Sequence, residues 1–137
     1  MSTETNKETV REFVSRVFED LDTSAVDELV ADGFVSHAWR RNDGQNAKES
    51  LKEATTRMAS ALSDINFRID DLVAEDDRVV ARLTASARQT GEFMGMPPSG
   101  KSYEIGEIHI FRLRDGKVVE HWLEMDAMGL MQQLKAD

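Results

Sequence analysis

The stretch "KSYEIGEIHIFRLRDGKVVEHWLEM", residues 101–125, decides the fold. Apolar and polar side chains alternate along both of its halves, the period of two that marks strands with one face turned to a core. Between them "RDG", Arg114 to Gly116, is the chemistry of a tight turn, so the two halves predict a hairpin. Register matters here, because a shift of one residue sends every side chain to the opposite face. A two-residue turn on Asp115 and Gly116 would set Arg114 against Lys117 and His109 against Trp122. A three-residue loop with Gly116 in the left-handed region sets Leu113 against Lys117, His109 against His121 and Glu107 against Leu123. The three-residue loop is preferred, because it gathers Ile105, Phe111, Val119, Leu123 and Met125 on one face and Arg112, Glu120 and Glu124 on the other.

Working outward, "INFRIDDLVAE" and "RVVARLTASARQTGEF" continue the same alternation, with "EDDR" as a turn between them and "MGMPPSG" as the loop before Lys101. The second half of the chain is therefore read as four antiparallel strands, and "DAMGLMQQL" closes it as a short helix. In the first half the period changes. Val10, Phe13, Val14, Val17, Phe18 and Leu21 recur at three- and four-residue steps and draw one apolar stripe along a helix from Thr5 to Leu21. A short helix follows through Val26, Leu29 and Val30, with Thr23 or Ser24 as its N-cap, then a short strand in "GFVSHAW". A third helix spans about Ala47 to Leu62, and its charged face, Lys48, Glu49, Lys52, Glu53 and Arg57, is read as solvated. Helices first and strands after predict a single α+β domain over residues 1–137.

Composition sets outer limits. The chain has 137 residues, 40% of them hydrophobic and 31% charged, and no apolar run approaches a membrane span. A formal net charge of -9 argues against binding to nucleic acid or to an anionic membrane. The polar opening "MSTETNKET" predicts no secretory leader, and the absence of cysteine fits a reducing cytoplasm and excludes thiolate chemistry.

In the preferred register the inward face is apolar except for Glu107, His109 and His121. Unpaired buried polar groups cost about 1–3 kcal/mol each, so these three need one another, water or a ligand. The third histidine, His37, lies near Trp39 in the "GFVSHAW" strand and is expected to join the same pocket. The alternative is that each histidine is a half-buried strand residue bonded to backbone or water. Three histidines with Glu107 suit zinc by residue type, but they lack the usual ligand spacings, and no metal is expected.

"FVSH", "DDLVAEDDRVVARLT", "TGEFMGMPPSGKSYEIGEIHIFRLRDGKVVEHW" and "MDAMGLMQQL" together resemble the SnoaL-like polyketide cyclase (ester cyclase) family of the nuclear transport factor 2-like superfamily. The resemblance implies a cone, in which a curved, mostly antiparallel sheet wraps the N-terminal helices around an apolar pocket. It implies a cofactor-independent intramolecular aldol cyclisation by a histidine and an aspartate on neighbouring strands. The family's histidine falls at His109, its companion at His121 and the polar residue two positions before the first at Glu107. The aspartate would fall at position 123, where this chain has leucine. Catalytic candidates are thus His109, His121 and Glu107, and pocket-wall candidates are Phe13, Val17, Phe34, His37, Trp39, Met58, Leu62, Phe111 and Leu123. Two functions stay open: acid–base chemistry on a small hydrophobic carbonyl compound, or a non-catalytic binding or dimerisation module. An apolar outer face of Ile108, Ile110 and Trp122 predicts a homodimer.

Overall fold

The structure, a computed structural model, describes residues 2–38 and 46–135. Trp39, a predicted pocket residue, lies outside them. The order is α1 (Thr3–Phe13), a π-helical segment (Val14–Glu19), α2 (Thr23–Leu29), β1 (Val30–Ser36), α3 (Ala47–Ala61), β2 (Leu62–Glu75), β3 (Arg78–Gln89), β4 (Ser102–Arg114), β5 (Lys117–Met125) and α4 (Ala127–Lys135). Five strands form one mixed sheet in the order β1-β5-β4-β3-β2. The α+β class is as read from the sequence, and the short strand expected in "GFVSHAW" is β1, which starts earlier, at Val30, a residue expected in the second helix, and joins the edge of the sheet parallel to β5. Its alternation is broken by Asp32 and Gly33 and its register shifts between Val30 and Val35, so its sequence carries little strand periodicity.

The first helix begins on Ser2, whose hydroxyl accepts from the Thr5 backbone N–H at 3.0 Å. It does not run as α-helix to Leu21; from Val14 it widens into the π segment, with the Asp20 N–H donating to the Ser15 carbonyl. This segment supplies both Val17, 1% exposed, and Phe18 to the sheet side. The Phe18 ring meets Phe13, Phe67 and His109 at centroid distances of 5.1, 5.3 and 5.0 Å. Asp22 caps α2 in place of the predicted Thr23 or Ser24, accepting from the Ser24 N–H at 2.9 Å. The charged face of α3 is partly docked rather than fully solvated. Lys48 is buried and donates to Asp32 at 3.1 Å, and Lys52 reaches Asp27 at 3.1 Å.

The β4–β5 hairpin corrects the predicted loop. Asp115 and Gly116 both have positive φ, 52° and 78°, and Arg114 pairs with Lys117, so the turn has two residues. A bulge at Val119 then inserts the residue that the turn lacks, since Leu113 pairs with Val118 but Arg112 with Glu120. Beyond it His109 pairs with Leu123, Phe111 with His121 and Glu107 with Met125. His109 and His121 are therefore diagonal rather than directly opposite. They still share a face, while Val118, fully buried, takes the inward place expected of Val119.

Beyond Gln89 the predicted third strand gives way to a loop. Gln89 is fully buried, and its amide donates to the carbonyls of Gly91, Met96 and Pro97 at 3.0–3.1 Å while its Oε1 accepts from Ser99 at 2.7 Å. One side chain thus ties down "GEFMGMPPS", fixing Phe93 against the sheet. A Cβ at Gly91 would lie 2.2 Å from the Ser60 carbonyl oxygen, so this loop also passes tightly against the end of α3.

Candidate active site

Between the inward face of the sheet, the π segment and α3 lies a cavity of about 220 Å³. Its walls are mostly apolar. Of the predicted wall residues, Val17, Phe34, Met58, Leu62 and Leu123 line it. Phe13 and Phe111 sit one layer deeper, 2% and 0% exposed in the core, with their rings 5.2 Å apart beneath the histidines. They support the floor instead of facing the cavity.

His37 does not enter the cavity. β1 ends at Ser36, which faces inward, so the next side chain emerges on the other side of the sheet. There the His37 ring stacks on Trp122 at 4.9 Å and bonds Glu120 at 2.6 Å, and Glu120 also accepts from Arg112. These two partners hold the Glu120 carboxyl below its usual range, His37 contributing most. Only the His37 backbone N–H touches the site, donating to the His121 carbonyl at 2.8 Å.

The remaining three polar candidates meet in one chain. Glu107 Oε1 lies 2.7 Å from His109 Nε2, and His109 Nδ1 lies 2.8 Å from His121 Nε2. His109 is 2% exposed and His121 8%. Strand parity puts Glu107 and His109 two residues apart on one face of β4, and the bulge sets His121 diagonally across on β5. The rings of Phe18 and Phe111 flank His109, and Phe111 packs on His121 at 4.9 Å. Burial, followed by the neighbouring charges of His109 and His37, holds the His121 imidazole well below its usual range, so it stays neutral. Each contact in the chain holds one proton. With Glu107 as carboxylate, His109 donates from Nε2, its Nδ1 accepts from His121 Nε2–H, and His121 Nδ1 is left bare. A proton taken up at His121 Nδ1 displaces the others along the chain toward Glu107.

The depressed His121 value has a consequence for stability. The unfolded chain binds a proton at this histidine below about pH 6.5, while the folded chain resists doing so. The contribution is present above that pH and is lost as pH falls from there toward the lower folded value, by up to about 1.4 kcal/mol per pH unit. Thermal unfolding between pH 7.5 and 5 should show this loss in the wild type, and His121→Gln should flatten it.

Several cavity residues escaped the sequence reading. Phe18, on the apolar stripe of the first helix, lines the cavity from the π segment, with its ring 5.0 Å from His109. Tyr103, Ile65, Phe67 and Phe93 also line the cavity. Tyr103 shares strand parity with Glu107 and His109, which was the available signal. Among the described residues, no three His, Asp or Glu side chains converge as metal ligands.

Comparison with known proteins adds a family and its members. The family described as SnoaL-like polyketide cyclase matches residues 8–134. The chain is similar to aklanonic acid methyl ester cyclase DauD of Streptomyces sp. (strain C5), with 27% identity covering 90% of this chain and 80% of that one. It is similar to nogalonic acid methyl ester cyclase of Streptomyces nogalater, at 24% identity over 82% of this chain and 84% of that protein. Among solved structures, TsrD from Streptomyces laurentii superposes with a TM-score of 0.88 at 32% identity, covering 100% of this chain and 99% of the other.

Proposed function

The chain belongs to the SnoaL-like polyketide cyclase family, and we propose that it binds a small hydrophobic carbonyl compound in this cavity and catalyses enolisation and ring closure by acid–base chemistry. The observation that carries the reading is the unbroken hydrogen-bond chain from Glu107 through His109 to His121 at the wall of an apolar cavity.

The steps balance with the protein's own groups. His121 Nδ1 removes a proton from the carbon beside a substrate carbonyl, and the C–H electron pair becomes the enolate. The His121 Nε2 proton passes to His109 Nδ1, and the His109 Nε2 proton passes to Glu107. No imidazolium has to persist at His121, whose surroundings disfavour it. The enolate carbon attacks a second carbonyl of the same molecule, forming a C–C bond, and the resulting alkoxide takes a proton back from the relay. General base catalysis of this kind contributes about 10²- to 10⁴-fold. On this reading Glu107, two positions before His109 on β4, takes over the carboxylate function that the family resemblance places at position 123. Leu123, paired with His109, contributes apolar wall.

The second reading, a binding module without chemistry, is favoured by that same leucine. The proposal also keeps the homodimer. Ile108 is 47% exposed beside half-buried Ile110 and Trp122, an outer surface that a second copy would cover.

Incubation with α-tetralone in D2O, followed by ¹H NMR, separates the readings. Saturable exchange of the α-protons above the buffer rate is the expected result. Binding without exchange would leave the module, and neither binding nor exchange would overturn both.

A further inference from the structure

A base alone leaves the enolate's negative charge in an apolar cavity, where it needs a donor. Most polar side chains of the cavity already have partners. Both His109 nitrogens are engaged and Thr55 donates to the Leu51 carbonyl, while the half-buried Ser36 accepts from the Ala38 N–H at the rim where β1 ends. Ser50 and Arg57 also line the cavity, but Ser50 is half-buried and Arg57 exposed, open to solvent; Tyr103 is the buried one. It is 8% exposed, lines the cavity, and among the described residues its hydroxyl has no hydrogen-bond partner. Its oxygen is not sealed in the core, unlike the unpartnered Asn6 Oδ1, and so is accessible to a molecule in the cavity. Its ring is held in place, stacked against Phe93 at 6.4 Å and 6°, and Phe93 belongs to the loop that Gln89 ties down.

Tyr103 and Glu107 share the inward face of β4, with Ile105 between them, about 13 Å apart along the strand. Their ends therefore bracket a length of cavity instead of bonding each other. We propose that Tyr103 is a catalytic residue of the reaction proposed above, its O–H donating to the substrate oxygen that becomes the enolate while the Glu107–His109–His121 relay holds the proton. The phenol remains a donor throughout the working range. Burial first, and the Glu107 carboxylate second, push it up to about 12. It cannot serve as the base, which fits a division of labour between one neutral donor and one proton acceptor.

The inference rests on the proposed function, and its test distinguishes the failure of each. The probe is 4-nitrophenol, an aromatic oxyanion mimic whose visible band reports the phenolate, with nitrobenzene as a neutral control of similar shape. Wild-type protein at pH 6 should bind 4-nitrophenol as the phenolate, its proton taken up by the relay. Tyr103→Phe should weaken phenolate binding about 10- to 100-fold, the range for a lost hydrogen bond to a charged group. Nitrobenzene affinity should be unchanged. The melting temperature should also hold, because the hydroxyl removed has no protein partner. Equal phenolate binding by wild type and Tyr103→Phe, or binding of the neutral phenol by both, overturns the role of Tyr103 and leaves the cavity reading standing. Failure of wild type to bind either compound overturns the cavity reading, and this inference with it.

Discussion

Glu107→Gln should reduce α-proton exchange by about 10²- to 10⁴-fold while leaving the protein folded. The amide matches the carboxylate in size and can still bond His109 Nε2, so the geometry of the chain survives. What is lost is the terminal acceptor. A proton taken at His121 would then have to remain on an imidazole, and burial holds His121 well below its usual range. His109→Phe should have a comparable effect by cutting the chain in the middle. The double variant should be little worse than either single one, because the three groups act as one unit. Unchanged exchange in Glu107→Gln, with exchange in the parent established, would show that the carboxylate does not receive the proton.

Phe111→Ala should lower stability by about 3–5 kcal/mol, the usual result of removing a fully buried aromatic ring from a core. Phe111 is 0% exposed and touches Phe13, His109 and His121 through ring contacts. Its loss opens a void where the floor of the site meets the core, so the histidines lose the surface that orients them. Urea unfolding should show a lower midpoint with an unchanged slope. A shift under about 1 kcal/mol would mean that the core collapses around the gap and that Phe111 does not brace the relay.

How much of this was legible in the sequence differs from element to element. The four antiparallel strands and the apolar stripe of the first helix were plain, because alternation and three- to four-residue recurrence follow directly from which side of each element is buried. The gathering of Glu107, His109 and His121 was legible too, although through a loop that does not exist. The chain uses a two-residue turn and a bulge at Val119, and together these give the same parity as the three-residue loop. Periodicity reports parity and cannot tell those two solutions apart. The short strand in "GFVSHAW" was legible, but its start at Val30 and its parallel pairing with β5 were not, because Asp32 and Gly33 interrupt its pattern. His37 looked like a pocket residue by proximity to "FVS", but Phe34 and Ser36 face the cavity and alternation sends His37 to the outer face, onto Trp122 and Glu120. The π segment leaves no composition signal, although the inward position of Phe18, which it carries over His109, was legible from the stripe.

The most direct test of the relay is ¹⁵N NMR of the histidine side chains at pH 7–8, where proton position is read from the imidazole nitrogens. The account predicts His121 with a proton on Nε2 and a bare Nδ1, its Nε2–H shared with His109 Nδ1. A His121 carrying its proton on Nδ1 with Nε2 bare, or one that becomes cationic near pH 6.5, would contradict it.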